Sequence, residues 1–342
     1  MKIGKNNLIT DVKGVLVGNS ENQKLKSGVT VFSCEKPFKA SVSILGGAPG
    51  TKDTDLLESD KLVEYINALV LSGGSVYGLD APSGVVDILR EEGKGHKARE
   101  NLYVPIVPGA ILFDLVNGGE KNWKKNPYYN LGKKAYLNKD EKFKLGSFGA
   151  GTGATSSTLK GGLGSASFVL DNGSTIGALV AVNPFGSVVM PGSNYFWAAP
   201  YEVKKEFGGK GFKIVDDYLK LEKKFNFKRE LNIRSLKNST IAIVATDYDL
   251  TKSQLKRVSV AAHDGFSRSI VPVHTPFDGD LIFSVSTSEN KNKANDNEVA
   301  LIGHLAGVCL SRAVARGVYE AKKFSNDVSP TWSEVEKKNY YD

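Results

Sequence analysis

The run from residue 238 to residue 280 constrains the fold more than any other part of the 342-residue chain. Residues 240–246 (TIAIVAT) are apolar and mostly β-branched, which predicts a buried strand. Thr251 and Gln254 have the spacing of a capping box, which predicts the start of a helix. Residues 281–287 (LIFSVST) predict a second strand. The sequence therefore predicts a strand–helix–strand unit.

Reactive side chains precede both of these strands. Ser239 follows Asn238 directly before the first strand, and Asp278 and Asp280 flank a glycine directly before the second. A serine hydroxyl is a poor nucleophile without a base. If the chain is cleaved between Asn238 and Ser239, the new α-amine of Ser239, whose pKa would be about 7.7 to 8.0, can act as that base. The carboxylates would lie beside Ser239 and orient that amine. The alternative is a turn serine and two solvated aspartates, because Asn-Ser pairs are common in turns.

Composition narrows the functional classes. Hydrophobic residues make up 41% and charged residues 24%, as in ordinary globular proteins. The net charge of +8 comes from scattered lysines, so we expect no nucleic-acid partner. No 18-residue apolar stretch and no secretory signal occur, which predicts a protein without membrane contact, and the two cysteines predict a reduced, cytoplasmic protein. Cys34 and Cys309 form no CxxC and the four histidines no HExxH, so we expect no metal and no cofactor.

Glycine-rich stretches offer further candidate sites. Residues 46–51 (GGAPGT) form either a simple turn or a pocket wall. Residues 146–167 have the composition of a loop that aims backbone N–H groups at an anion, and GLGSAS within it resembles the phosphate loop of small-molecule kinases. Lys160 in this run is either a surface lysine or a site lysine. Asn183, at the end of a predicted strand over 175–186, is either a turn residue or an oxyanion donor.

The remaining segments complete the secondary-structure prediction. Short strands are expected at 8–18, 28–34 and 41–47, a helix near 58–67, and an amphipathic helix over 300–323. The polar segment 190–237 is expected to present a cleavable bond from the surface.

Several motifs together resemble one family. They are NSTIAIVATD (238–247), AHDGFSR (262–268) and PFDGD (276–280), preceded in the same order by GVTV, GAPGT, SGGSVYGL, VPIVPGAILFDL and GAGTGA. The chain thereby resembles, from about residue 8 to about residue 322, the self-processing N-terminal-nucleophile aminopeptidases and amidases. That family includes the L-aminopeptidase/D-amidase/D-esterases, the β-aminopeptidases and the nylon-oligomer hydrolases. The Asp-Gly-Asp form resembles the nylon-hydrolase branch.

The resemblance implies a fold, a maturation step and a set of roles. The fold is α/β, a layered αββα sandwich, as one domain over residues 1–342 that is cleaved between Asn238 and Ser239 into chains 1–238 and 239–342. Ser239 is implied as nucleophile, with Thr240 as the adjacent alternative, and a homo-oligomer, a tetramer of αβ units, is implied as the assembly. The implied supporting site residues are Asp278, Asp280, Asn183 and Lys160.

We therefore expect a serine hydrolase of amide bonds in small substrates such as short peptides, amino acid amides or ω-amino acid oligomers. Two alternatives remain open at this point. One is a phosphotransferase that uses the 146–167 loop, and the other is an unprocessed, non-catalytic binding protein of the same fold.

Overall fold

The computed structural model describes residues 1–214, 216–222 and 238–337. Of the segment 190–237, which is expected to present the cleavable bond, residues 215 and 223–237 lie outside the described residues. The described strands are β1 Lys2–Ile3, β2 Val15–Asn22, β3 Ser27–Ile44, β4 Thr51–Lys52, β5 Tyr65–Ser72, β6 His96–Arg99, β7 Leu102–Val104, β8 Gly109–Ile111, β9 Gly162–Val169, β10 Thr175–Val182, β11 Ile241–Thr246 and β12 Leu281–Ser286.

The described residues form six α-helices. They are α1 Ala81–Glu91, α2 Tyr128–Leu137, α3 Tyr218–Glu222, α4 Lys252–Ser267, α5 Asp296–Tyr319 and α6 Trp332–Lys337. Short 3-10 helices occur at Ile9–Asp11, Asp55–Leu57, Ser75–Asp80, Gly149–Gly151 and Ala199–Tyr201.

Hydrogen bonding joins the described strands, apart from the β6–β7 hairpin, in the order β1-β9-β10-β11-β12-β3-β5-β8-β4, with β2 paired to β3. The long strand β3 connects the two halves of this arrangement, which are β1 and β9 to β12 on one side and β2, β5, β8 and β4 on the other. Its first part pairs with β2 and β5, and its last part pairs with β12 after a register shift between Ser33 and Phe38. A bulge of this kind bends a strand, so one strand connects two packed layers.

Three apolar clusters separate four layers. Helices α4 and α5 pack on one face of β9 to β12, and α1 and α2 pack on β3 and β5. The central cluster joins the inner faces of both halves, with Ile241 and Ile243 of β11 facing Phe32 of β3. Alternate residues of β11, Ala242 and Val244, face the helices instead. The chain thus folds as the αββα sandwich that the resemblance implies.

Helix α5 is buried where a membrane span would be exposed. By length and composition alone it could cross a bilayer, but 72% of its most apolar window is buried inside the protein. Such burial is that of a core helix.

Three secondary-structure predictions were wrong. The short strands expected at 28–34 and 41–47 are parts of one long strand, β3. Residues 58–67 do not form a helix: β5 begins at Tyr65 and pairs with β3 and β8, so sheet pairing overrides the local pattern. The segment 8–18 is a strand only from Val15, because Ile9–Asp11 form a 3-10 turn that packs on β10.

Candidate functional site

The site forms where two parallel strands begin side by side. Strands β11 and β12 pair in parallel with Ile241 opposite Leu281, and the pairing extends back to Asn238 opposite Asp278. Helix α4 connects them and starts with the predicted capping box at Thr251. The predicted adjacency of residues 238–240 and 278–280 is therefore confirmed.

Strand β10 brings Asn183 to the same place. It runs antiparallel to β11 with Ala181 opposite Ile241, so Asn183 lies opposite Ser239. The backbone N–H of Ser239 donates to the Asn183 carbonyl at 3.0 Å. The nitrogen that would become the α-amine is thus fixed before any cleavage.

The carbonyl oxygen of Asn238 receives two short hydrogen bonds. The Ser239 hydroxyl donates to it at 2.6 Å, and the Gly279 N–H donates to it at 2.6 Å. Donors aimed at a carbonyl oxygen stabilise the negative charge that develops there when the carbonyl is attacked. The carbonyl of the peptide bond between Asn238 and Ser239 therefore has a hydroxyl and a backbone N–H directed at its oxygen.

Glycine is required at position 279. A Cβ built there would lie 2.4 Å from the Ser239 hydroxyl oxygen and 2.7 Å from the carbonyl oxygen of Ala48. Sequence reasoning treated this glycine as a spacer between two aspartates. Its role was missed because it depends on pairing with Asn238, which the local sequence does not reveal.

The two carboxylates are fully buried and bind the backbone around Ser239. Asp280 Oδ1 accepts from the N–H of Thr240 at 2.7 Å. Asp278 Oδ1 accepts from the N–H of Phe185 at 2.9 Å, and its Oδ2 accepts from the N–H and hydroxyl of Thr275 at 3.1 and 2.6 Å. Both aspartates thus hold the backbone segments beside Ser239.

Two like charges share this buried space, and the pKa of Asp278 responds to it. Burial, and then the nearby Asp280, raise the pKa of Asp278 to about 6. Its hydrogen-bond donors oppose this rise only in part. Asp278 therefore changes its charge just below neutral pH.

Two histidines continue from Asp280. Asp280 Oδ2 lies 3.0 Å from His274 Nδ1, and His274 Nε2 lies 3.2 Å from His263 Nδ1. His263 Nε2 lies 3.1 Å from the carbonyl oxygen of Ser43, which accepts a hydrogen bond from it. Burial, and then His274, lower the pKa of His263 to about 4, so His263 is neutral at pH 7 and its Nδ1 accepts from His274. A chain of contacts therefore runs from Asp280 through His274 and His263 to the carbonyl of Ser43.

His274 adopts a backbone conformation that a non-glycine residue rarely takes, with φ of 55°. Its N–H also donates to Asp280 Oδ2 at 3.1 Å, so this backbone brings the amide and the ring Nδ1 of His274 to one oxygen. Sequence reasoning missed His274 and His263. The sequence feature that could have identified them is the position of His274, six residues before Asp280.

Lys160 is buried in an ion cluster beside the site. Its ammonium binds Asp327 at 2.7 Å and lies 3.9 Å from the ring centre of Phe324, and Lys26 binds the same Asp327 carboxylate at 2.9 Å. Burial lowers the pKa of Lys160, although Asp327 opposes this shift. Lys160 therefore neutralises a carboxylate from the C-terminal part of the chain, and its connection to Asn183 is indirect.

That indirect connection runs through Thr155. Residues Thr155 and Lys160 form an antiparallel bridge, and the Thr155 N–H donates to Asn183 Oδ1 at 3.0 Å. Asn183 Nδ2 donates to the carbonyl of Phe113 at 3.1 Å. These bonds fix the Asn183 backbone carbonyl that receives Ser239 N–H.

The glycine-rich segment 146–167 does not form a phosphate loop. Residues 162–167 lie in strand β9, buried between β10 and helix α5. The N–H groups of Gly149 and Ala150 donate to Glu21 and Thr30 side chains, so they are not directed at an anion site. The phosphotransferase alternative therefore loses its structural basis.

An open pocket of about 200 Å³ leads to Ser239. The 46–51 segment forms one wall, in line with its reading as a pocket wall, and the Ser75–Asp80 helix forms another. Two serines line the pocket, and its other lining residues carry no polar side chain. The lining residues are Ala48, Pro49, Gly50, Ser75, Val76, Leu79, Ile111, Phe113 and Ser239. Tyr77, in the same Ser75–Asp80 helix, packs edge-on against Trp123.

Metal ligands do not gather at this site. Within residues 1–214, 216–222 and 238–337, no group of three or more His, Cys, Asp and Glu side chains is placed to hold a metal ion.

Comparisons with known proteins agree with this architecture. The chain is 35% identical to an uncharacterized aminopeptidase of Mycobacterium tuberculosis over 334 residues, which cover 92% of this chain and 94% of the relative. It is 26% identical to a 6-aminohexanoate-oligomer endohydrolase of Paenarthrobacter ureafaciens over 294 residues, covering 84% of this chain and 76% of the relative.

Solved structures share the fold. A Burkholderia sp. β-aminopeptidase matches with a TM-score of 0.73 at 19% identity, covering 99% of this chain and 95% of that one. The L-aminopeptidase D-Ala-esterase/amidase of Ochrobactrum anthropi, described as a variant of the Ntn hydrolase fold, matches with a TM-score of 0.69 at 21% identity, covering 99% and 96%. The profile of peptidase family S58 matches residues 7–328. By this match over nearly its whole length, the chain belongs to peptidase family S58 and is a hydrolase of that family.

Proposed function

We propose that the protein is a self-cleaving N-terminal serine hydrolase of amide bonds, with Ser239 as its nucleophile. The observation that carries this proposal is the double hydrogen bond to the Asn238 carbonyl, from the Ser239 hydroxyl and from Gly279 N–H, each at 2.6 Å. A carbonyl held this way is primed for attack by the hydroxyl that follows it.

Maturation follows from this contact. Ser239 Oγ bonds to the Asn238 carbonyl carbon, the carbon–nitrogen bond breaks, and the hydroxyl proton passes to the Ser239 nitrogen. Water then hydrolyses the ester, which restores the hydroxyl and leaves a carboxylate on Asn238. The single domain becomes chains 1–238 and 239–342. The bond to the Asn183 carbonyl keeps the new amine in place.

In turnover, the new α-amine accepts the proton of Ser239 Oγ as the hydroxyl attacks a substrate amide. Gly279 N–H stabilises the oxyanion together with Asn183, the donor that the sequence suggested. Asp280 holds the backbone of Thr240, and Asp278 holds that of Phe185. Lys160 supports the wall behind Asn183. Relatives named aminopeptidase and 6-aminohexanoate-oligomer endohydrolase support small amide substrates.

Three variants test the assignment of the nucleophile. Ser239→Ala should abolish both chain cleavage and amide hydrolysis, whereas Ser239→Thr keeps a hydroxyl and should retain slow cleavage. Thr240→Val removes the neighbouring hydroxyl, which within the described residues is buried without a hydrogen-bond partner, and should still be cleaved. Cleavage and hydrolysis by the Ser239→Ala protein, or their loss in Thr240→Val, would contradict the proposal.

A further inference from the structure

Two chain segments that line the pocket beside Ser239 are joined by a buried side chain. Ser75 lines the pocket directly after Gly74, and Phe113 lines it directly before Asp114. The Gly74 N–H donates to Asp114 Oδ1 at 2.7 Å. The carboxylate of Asp114 therefore connects the two segments.

The turn that Asp114 holds has a strained backbone. Gly74 has a φ of 86°, and Ser75 has a φ of 53° although it is not glycine. A non-glycine residue in this region costs free energy and persists only where the surrounding contacts hold it. Two hydrogen bonds from the opposite segment hold this turn: Ser75 N–H donates to the Leu112 carbonyl at 3.0 Å, and Gly74 N–H donates to Asp114.

A charge at Asp114 is unfavourable for folding. Only 3% of the residue is exposed, and its Oδ2 has no hydrogen-bond partner among the described residues. Burial raises the pKa of Asp114 to about 6, although Ser27, Lys121 and the Gly74 N–H favour the charged form. Since an apolar residue would avoid this cost, stability alone does not explain a carboxylate at this position.

Two glycines restrict the Asp114 carboxylate to one orientation. A Cβ at Gly73 would lie 2.3 Å from Asp114 Oδ2, and a Cβ at Gly153 would lie 2.9 Å from it. The carboxylate is thus packed against backbone on two sides, and its other oxygen stays directed at Gly74.

We propose that Asp114 is a positioning residue of the substrate pocket, because its carboxylate holds the strained turn at Gly74 and Ser75 against Phe113. It does not contact the reacting atoms and acts through Ser75 and Phe113, which line the pocket. The inference rests on the proposed function of Ser239 and adds a residue that shapes the pocket of that site.

Self-cleavage should not depend on Asp114. The two bonds to the Asn238 carbonyl come from Ser239 and Gly279, which lie at the starts of β11 and β12. The backbone of Asn183 is held beside Ser239 by the pairing of β10 with β11. Self-cleavage and turnover therefore respond differently to a displaced pocket wall.

Kinetics of Asp114 variants test the inference. The probes are L-alanyl 4-nitroanilide and 6-aminohexanoyl 4-nitroanilide, which share one leaving group. Asp114→Ala removes the acceptor, so KM of the cleaved protein should rise at least about tenfold, while kcat and the rate of self-cleavage stay within about threefold of the wild type. Asp114→Asn keeps an acceptor that is weaker because it is uncharged, and KM should rise by about threefold.

Asp247→Ala is the matched control. Asp247 is 5% exposed and its Oδ1 accepts from the Thr175 N–H at 3.0 Å, but it follows β11 at the end opposite Ser239. Like Asp114→Ala, this variant loses a buried carboxylate and leaves a backbone N–H without its acceptor. It should lower stability and leave KM unchanged.

The outcomes separate this inference from the function on which it rests. An unchanged KM in Asp114→Asn, which decides alone if Asp114→Ala does not fold, overturns the inference and leaves amide hydrolysis standing. An equal rise of KM in Asp247→Ala, or self-cleavage that slows in step with the rise of KM, indicates a general loss of structure and also overturns it. Failure of the cleaved wild type to hydrolyse either probe, or equal hydrolysis by Ser239→Ala, overturns the proposed function and the inference with it.

Discussion

Gly279 donates its backbone N–H to the carbonyl oxygen of Asn238 at 2.6 Å, across the start of two parallel strands. The two residues are far apart in sequence, and only the β11–β12 pairing brings them together. The bond makes Gly279 the oxyanion donor of the proposed self-cleavage.

Replacing Gly279 by alanine should therefore slow self-cleavage by about 100-fold or more, because the new Cβ would displace Ser239 Oγ. The rate can be followed by denaturing electrophoresis of freshly purified protein. Gly307→Ala is the matched control: its Cβ would meet no atom closer than 3.4 Å, and it lies within α5. Equal cleavage rates for both variants would contradict the role of Gly279.

The pKa of Asp278 predicts a pH dependence. Since burial and Asp280 raise this pKa to about 6, Asp278 is mostly protonated at pH 5 and then cannot accept all of its three donors. Cleavage at pH 5 should be about tenfold slower than at pH 7, in proportion to the ionised fraction. Asp278→Asn should lower the rate and remove this acid limb. An unchanged acid limb in the variant would assign it to another group.

Stability should move in the opposite direction over the same pH range. A carboxyl whose pKa is raised by folding contributes stability that is fully present below its unfolded pKa, near 3.8, and is lost as the pH rises through about 6. Urea unfolding of the uncleaved Ser239→Ala protein should show this loss between pH 4 and pH 7, relative to the same protein with Asp278→Asn. A difference that is independent of pH would contradict it.

His274 is expected to position Asp280. His274→Asn keeps a residue that tolerates positive φ but removes the imidazole that links Asp280 to His263. Self-cleavage should slow by about tenfold to 100-fold and its pH profile should shift, whereas a purely structural defect would leave the profile in place. His96→Asn, the same change at an exposed histidine, serves as the control. An unaltered rate and profile in His274→Asn would exclude the role.

The ion pairs of Asp327 are expected to stabilise the association of the two proposed chains. This carboxylate neutralises two buried lysines, Lys26 and Lys160, which lie before the cleavage site while Asp327 lies after it. In the uncleaved background, Asp327→Asn should lower the free energy of unfolding by about 3 to 5 kcal/mol, because it leaves buried cations unpaired. Asp60→Asn breaks an exposed ion pair with Lys61 and should have no measurable effect. Equal unfolding curves would contradict the prediction.

Sequence reasoning succeeded where local pattern and structure agree. The apolar run at 240–246, the capping box at Thr251 and the parallel arrangement that follows placed Ser239 beside Asp278. It failed where distant segments decide the outcome. Residues 58–67 have a helical pattern, yet pairing with β3 makes Tyr65–Ser72 a strand.

The partners of polar side chains were the least predictable feature. Lys160 forms an ion pair with Asp327 in the C-terminal segment, and His263 donates a hydrogen bond to the carbonyl of Ser43 on β3. Such bonds depend on which strands and segments become neighbours in space. The chemistry of the site could be proposed from residues 238–280, but its supporting contacts required the fold.

The intact mass of the purified protein, together with the N-terminal sequence of each chain, tests the central claim most directly. The account predicts two chains in place of the 36.9 kDa precursor, with the smaller beginning at Ser239, and a single uncleaved chain for Ser239→Ala. A wild-type protein that stays a single chain after long incubation, or a smaller chain that begins at Thr240, would contradict it.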